Sequence, residues 1–372
     1  MAIGMSYGTA KPGAVSECTQ TPNATFFFIS IAATLAYSSP LMKKIKVAQF
    51  GLGPIGVESL RLAASKPWAD IVGAVDIDPA KVGRQLSEVT GLRSLRGRIV
   101  HGSLGELLGT ETPEVIFHTA VSRFKAAFEQ LEPMARKGIN VVSSCEELVF
   151  PQLREPALAR RLDQICRKKG ARIVGTGVNP GFVMDLLPMC LTGVSLEVRA
   201  VHIQRVVDAA TRREPLQRKI GSGLPPRDFQ RLLKEGKAGH AGLKESLALL
   251  AHCLGWKVKA IRESGEPVVA DHDIRTNFLK VKKGHTCGLH QRAEARIGRA
   301  IVISLDLQMY LDAPNPHDAI QIEGRPPLSL VMPGGVAGDD ATVAALVNTA
   351  PRLLTAQPGL ILITDLAVPR IV

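Results

Sequence analysis

The chain has 372 residues, 45% hydrophobic and 22% charged, and carries a formal net charge of +12 from 46 Lys and Arg against 34 Asp and Glu. That length sets an expectation of two domains, and the composition is ordinary for a soluble globular protein with no stable membrane association. The basic excess is spread along the chain, aromatics make up only 4%, and no zinc finger, base-stacking motif or concentrated basic helix is present, so nucleic acid is set aside in favour of a surface that draws in anionic small molecules.

Residues 1–42 read differently from the rest. A Gly/Ser/Thr/Pro-rich start leads into the apolar run Ala24–Tyr37, which is too short to span a bilayer as a helix. The stretch before it holds one Lys, one Glu and no Arg, a poor match to the charged start of a signal peptide. A leader that is disordered or targeting is expected over 1–42, with the fold beginning at 43. The six cysteines are widely spaced and none forms a CxxC pair, which points to reduced thiols and a cytoplasmic protein, with organelle targeting by the leader as the alternative.

From Lys44 the pattern becomes regular. Ile45–Phe50 is an apolar strand ending on Gly51, Val57, Leu60, Ala63 and Ala64 recur at helical spacing up to Pro67, and Ile71–Val75 is a second buried strand ending at Asp76. Residues 115–118, 140–144 and 172–176 read as further strands, with helices over 122–137 and 156–169 between them. Strands alternating with helices predict an α/β fold, a Rossmann-type doubly wound parallel sheet. After Pro180-Gly181 the pattern changes to a helix over 183–192, strands over 198–207 and 301–310, a mainly helical 227–255 and an amphipathic helix over 339–354. The expected domains are a dinucleotide-binding domain at 43–182, an α+β substrate and oligomerisation domain at 183–330, and a C-terminal segment at 331–372 packing back on the first domain.

The turn Gly51-Leu52-Gly53-Pro54-Ile55-Gly56 carries the strongest chemical signal. Gly51 permits the tight turn, Gly53 lets the backbone approach a pyrophosphate, and Gly56 permits close packing of helix on strand. The helix N-terminus adds N–H groups and partial positive charge. Asp76, twenty residues beyond Gly56, is placed to bond the adenosine ribose hydroxyls. It favours NAD, while Lys81 and Arg84 could accept the extra phosphate of NADP, so both cofactors stay open.

Three polar residues stand where later strands end: His118, Glu146 and Asn179. The carboxyl ends of an open α/β sheet face one crevice, so these three are expected to meet there. His285, Cys287 and His290 have metal-like spacing, but without a fourth ligand a polar loop or pocket edge is preferred to zinc.

The runs Phe117-His118-Thr119-Ala120-Val121-Ser122-Arg123, Asn140-Val141-Val142-Ser143-Ser144-Cys145-Glu146-Glu147-Leu148 and Gly175-Thr176-Gly177-Val178-Asn179-Pro180-Gly181-Phe182 resemble the 2,4-diaminopentanoate dehydrogenase family, which includes the native NAD(P)-dependent amine dehydrogenases. Leu311–Asp318 and Met332–Val336 agree, and the resemblance covers about 43–372. It implies reversible oxidative deamination of an amine or diamine, or in reverse the reductive amination of a ketone or aldehyde with ammonia, and an expected homodimer. Glu146 takes the place of the family's catalytic carboxylate, with Glu147 as the adjacent alternative. His118, Glu147 and Asn179 are expected in the substrate pocket, and Thr119, Ala120, Val121 and Asn179 beside the nicotinamide. The other readings are a dihydrodipicolinate reductase-like or homoserine dehydrogenase-like enzyme, or a non-catalytic NAD(P)H sensor. The first is weakened because its His-His-x-x-Lys-x-Asp run is missing and Glu146 would repel a dianion.

Overall fold

The computed structural model describes residues 44–372, and the leader expected over 1–42 lies outside them. Strands β1 (Ile45–Phe50), β2 (Ala69–Val75), β3 (Val100–His101), β4 (Val115–His118), β5 (Asn140–Ser143) and β6 (Arg172–Gly175) alternate with helices α1 (Pro54–Ala64), α2 (Leu86–Thr90), α3 (Leu104–Thr110), α4 (Phe124–Arg136) and α5 (Pro156–Lys169). Local chemistry accounts for these elements. Pro54 opens α1 with its preset φ, and α4 buries Phe124, Ala127, Phe128, Leu131, Met134 and Ala135 along one stripe. In α5, Arg167, Lys168 and Lys169 occupy the last turn before a left-handed Gly170.

A second group begins with α6 (Leu186–Thr192) and β7 (Glu197–Asp208), continues through α7 (Glu214–Lys219), α8 (Pro226–Lys234), α9 (Leu243–Cys253), β8 (Ile261–Val269), the short pair β9 (Ile274–Arg275) and β10 (Lys280–Val281), then β11 (Thr286–Ile297), β12 (Ala300–Tyr310), β13 (His317–Arg325) and β14 (Leu328–Pro333). The chain ends with α10 (Gly338–Leu353) and β15 (Gly359–Ile361).

The first sheet has seven strands in the order β15-β6-β5-β4-β1-β2-β3, all parallel. Its direction of winding reverses between β1 and β4, which opens a crevice at the carboxyl ends of those two strands. The second sheet has the order β14-β13-β7-β12-β11-β8 and is mixed, with β7 and β12 parallel. Helix α9 lies between the sheets. Leu243, Leu247, Leu250 and Ala251 join the core of the second sheet, whereas Leu249 joins the core of the first.

Several details depart from expectation. The helix expected from 183 starts at Leu186, because Asp185 caps it through its own carboxylate. The segment 227–255 divides into α8 and α9 around Gly236, Gly239 and Gly242, all with positive φ. The second sheet runs to Pro333, past the boundary expected at 330, and β15 adds a seventh strand to the first sheet. The C-terminal segment is not among these departures: its helix α10 packs against α1 and β5 of the first domain.

Candidate active site

The glycine turn sits at the end of β1 and is tightly braced. Gly51 has φ +92°, and a Cβ on Gly56 would fall 2.0 Å from the Gly51 carbonyl oxygen. That oxygen accepts from Thr119 Oγ1 at 2.9 Å and from Gln49 Nε2 at 2.9 Å, so β1 and β4 hold the turn jointly. Gly53 caps α1, has open space where a Cβ would stand, and with Pro54 and Ile55 lines a cleft of about 340 Å³. The first turn of α1 has no acidic residue and no side-chain cap, which leaves its N-terminus suited to an anionic ligand. Asp76 accepts from the Leu52 and Asp78 N–H groups, tying the end of β2 to the same turn. Neither Asp76 nor Lys81 lines the cleft itself.

The carboxyl ends of β4, β5 and β6 contribute unequally. Thr119, Ala120, Val121, Glu146 and Asn179 line the cleft. Glu146 opens a short 3-10 turn, Glu146–Val149, and its partly exposed carboxylate makes no hydrogen bond or ion pair with any described residue. Glu147 turns the other way: it is 4% exposed, accepts from the Phe124 N–H at 2.9 Å and pairs with Arg123 at 2.8 Å and Arg154 at 3.3 Å. It caps α4 instead of facing substrate, which corrects its expected pocket role.

His118 is corrected in the same way. It is fully buried on the α4 side of the sheet, stacked on Phe50, with Nδ1 2.8 Å from Ser143 Oγ and Nε2 2.7 Å from Gln130 Oε1. Burial pushes its pKa down to about 4, against the Gln130 hydrogen bond, so it is neutral and structural.

Asn179 lies in the turn after β6, joined to Pro180 by a cis peptide bond. The buried carboxylate of Asp185 staples this turn by accepting from the Gly181 N–H at 2.8 Å and from Ser246 Oγ of α9 at 2.7 Å. The Asn179 side chain is 8% exposed, yet neither its Oδ1 nor its Nδ2 has a partner. A buried amide left unsatisfied in the wall of a cleft marks a place where a ligand's polar groups fit.

The far wall comes from the second half of the chain, which sequence reasoning did not reach. Arg205 is held by both oxygens of Asp318 and donates to the Val336 carbonyl. Arg212 and Arg213 share Asp339 at 2.9 and 3.4 Å, the second contact being an ion pair from Arg213 Nε. Lys219 is exposed and unpaired, and His240 donates from Nε2 to the Asn179 carbonyl at 3.0 Å. Burial, then Lys219 and Arg205, push the His240 pKa down to about 3. The glycines at 236, 239 and 242 signal a special loop around His240, but not what that loop faces. His290 and Cys287, whose spacing resembles that of metal ligands but reads as a polar loop or pocket edge, take opposite faces of β11: Cys287 is buried, and His290 bonds Asp306 at 2.9 Å.

An open helix N-terminus after a glycine turn, facing carboxylate and amide groups at the switch point of a doubly wound sheet, defines an NAD(P)-dependent oxidoreductase. Residues 182–372 match the family model described as the 2,4-diaminopentanoate dehydrogenase C-terminal domain. The chain is 30% identical over 335 residues to 2,4-diaminopentanoate dehydrogenase of Acetoanaerobium sticklandii, covering 88% of this chain and 95% of that protein. It belongs to the 2,4-diaminopentanoate dehydrogenase family. It is also 23% identical to an amine dehydrogenase of Streptomyces virginiae, over 85% of this chain and 94% of that one. The structure of an amine dehydrogenase from Mycobacterium smegmatis shares the fold with a TM-score of 0.79 at 24% identity, covering 88% of this chain and 97% of that chain.

Proposed function

We propose that this protein is an NAD(P)-dependent amine dehydrogenase in which Glu146 is the catalytic carboxylate. The observation that carries the reading is the unpaired Glu146 carboxylate in the cleft that begins at the N-terminus of α1. The residues present suit the cofactor: the open Gly53 and uncapped α1 for its phosphates, Asp76 for its ribose, the exposed Ile77 for its adenine, and the orphaned Asn179 amide for its polar ring substituent. A bound nicotinamide supplies or accepts a hydride at the substrate carbon. Glu146 holds the positive charge of ammonium or iminium and exchanges the amine proton, in a cleft partly closed to water.

Lys81 is paired with Asp78 at 3.0 Å and Arg84 with Glu88 at 3.0 Å, so the two cations that could accept the NADP phosphate are already engaged. This supports NAD over NADP. Unpaired Lys219, in a cleft wall that also carries Arg212 and Arg213, supports an amine that bears a carboxylate away from the reacting carbon. The test is NADH consumption in ammonia with a 4-oxo acid and with the uncharged ketone of equal length. Consumption requires ammonia, is faster with the acid, and is about tenfold more efficient with NADH than with NADPH. Consumption without ammonia rejects the reading in favour of an alcohol-type dehydrogenase.

The second sheet supports a homodimer. Its face opposite α9 presents the half-buried polar residues His202, Gln204, Ser304, Asp306, Gln308 and His290. Sedimentation at twice the monomer mass is the expected result. The five described cysteines are all free, which fits a reducing compartment such as the cytoplasm, and among the described residues no helix is long and apolar enough to cross a membrane.

A further inference from the structure

The loop between α8 and α9 is built with unusual care for a connection. Gly236, Gly239 and Gly242 have φ of +65°, +100° and +104°, conformations that L side chains rarely adopt. Within it the backbone of His240 is clamped by one side chain: Gln291 Oε1 accepts from the His240 N–H at 2.9 Å, and Gln291 Nε2 donates to the His240 carbonyl at 2.9 Å. Gln291 is itself buried and anchored on Glu263 at 2.7 Å. The same loop touches the Glu146 side chain, since a Cβ on Gly242 would lie 3.2 Å from Glu146 Cβ.

That clamp fixes the imidazole as well. Its Nε2 faces the Asn179 carbonyl at 3.0 Å, and a carbonyl only accepts, so Nε2 carries the hydrogen. A neutral ring then leaves Nδ1 as a lone pair, and no described residue bonds to it. The ring lines the active-site cleft and also the basin beside it, which is rimmed by Lys234, Lys237 and Lys244.

We propose, resting on the amine dehydrogenase reading, that His240 is a second acceptor for the substrate nitrogen, taking one N–H at Nδ1 while Glu146 takes another. An iminium C=NH2+ offers two diverging N–H groups, and acceptors on two sides fix the plane of the C=N bond where a single carboxylate lets it turn. Ammonia and the product amine present the same donors. The depressed basicity of the ring serves this role, because a protonated imidazole would have no lone pair and would repel the cationic intermediate.

Two isosteres separate this role from simple bracing. His240→Gln puts an amide nitrogen near the Nε2 position, preserving the bond to Asn179 while removing the acceptor at Nδ1. His240→Asn puts an oxygen near Nδ1 and removes the bond to Asn179. Hydrogen bonds to charged groups contribute enough that H240Q raises the KM for ammonia about tenfold or more, with NADH affinity within about twofold of the native enzyme. H240N stays within about threefold in ammonia KM. An ammonia KM within about twofold of native in H240Q, or a greater loss in H240N than in H240Q, overturns the proposal and leaves His240 as a brace for Asn179. Native protein without any ammonia-dependent turnover overturns the amine dehydrogenase reading itself, an outcome distinct from either result at His240.

Discussion

Glu146→Gln is expected to lower the kcat for amination about 10³-fold while NADH affinity stays within about twofold. The change conserves shape and removes the charge and the proton-accepting oxygen, and Glu146 supports no other group: it has no hydrogen bond or ion pair whose loss would disturb the fold. Thermal unfolding of the variant should therefore coincide with that of the native protein. The loss corresponds to about 4 kcal/mol in the barrier. Fluorescence titration with NADH and stopped-flow amination separate binding from chemistry, and a variant that keeps full turnover would remove Glu146 from the mechanism.

Its neighbour should behave in the opposite way. Glu147→Ala leaves the Phe124 N–H at the start of α4 without a cap and removes a carboxylate from Arg123 and Arg154. Breaking a buried pair costs about 3–5 kcal/mol, but Arg123 and Arg154 are 55% and 34% exposed at the side chain, and solvent screens part of that term. A net loss of about 2–3 kcal/mol is expected, seen as a Tm lower by about 5 °C or more. Turnover per folded molecule should remain within about threefold of native, with NADH affinity unchanged. A variant as stable as the native protein but inactive would reverse the assignment of the two glutamates. The paired result, activity lost at one position and stability at the next, discriminates better than either variant alone.

What could be read from the sequence was local. Strand β1, the glycine turn and α1 follow one another within twenty residues, so both the turn and the cofactor class were legible. Glu146 and Glu147 could not be told apart, because they lie in a 3-10 turn with no alternation to say which side chain faces the crevice. His118 misled for a related reason. The end of a strand brings a residue to the crevice edge, but its side chain takes one of two faces, and here packing on Phe50 and bonding to Ser143 and Gln130 settle it on the α4 side. The far wall was hidden more deeply. Arg205, Arg212, Lys219 and His240 reach the cleft only through the placement of the second sheet, a contact over long sequence separation that no periodicity encodes. Strand β15, at three residues, is too short for any pattern.

The position of α9 has a practical implication for anyone dividing this chain. The family match begins at 182, which invites expression of the C-terminal half alone. Yet that half contains β15, which completes the first sheet, α10, which packs on it, and α9, whose Leu249 belongs to the other core. A fragment cut there would lose the surfaces those elements are built to meet. The matched segment and the folded core are offset here by one helix, one strand and part of the surface of another helix.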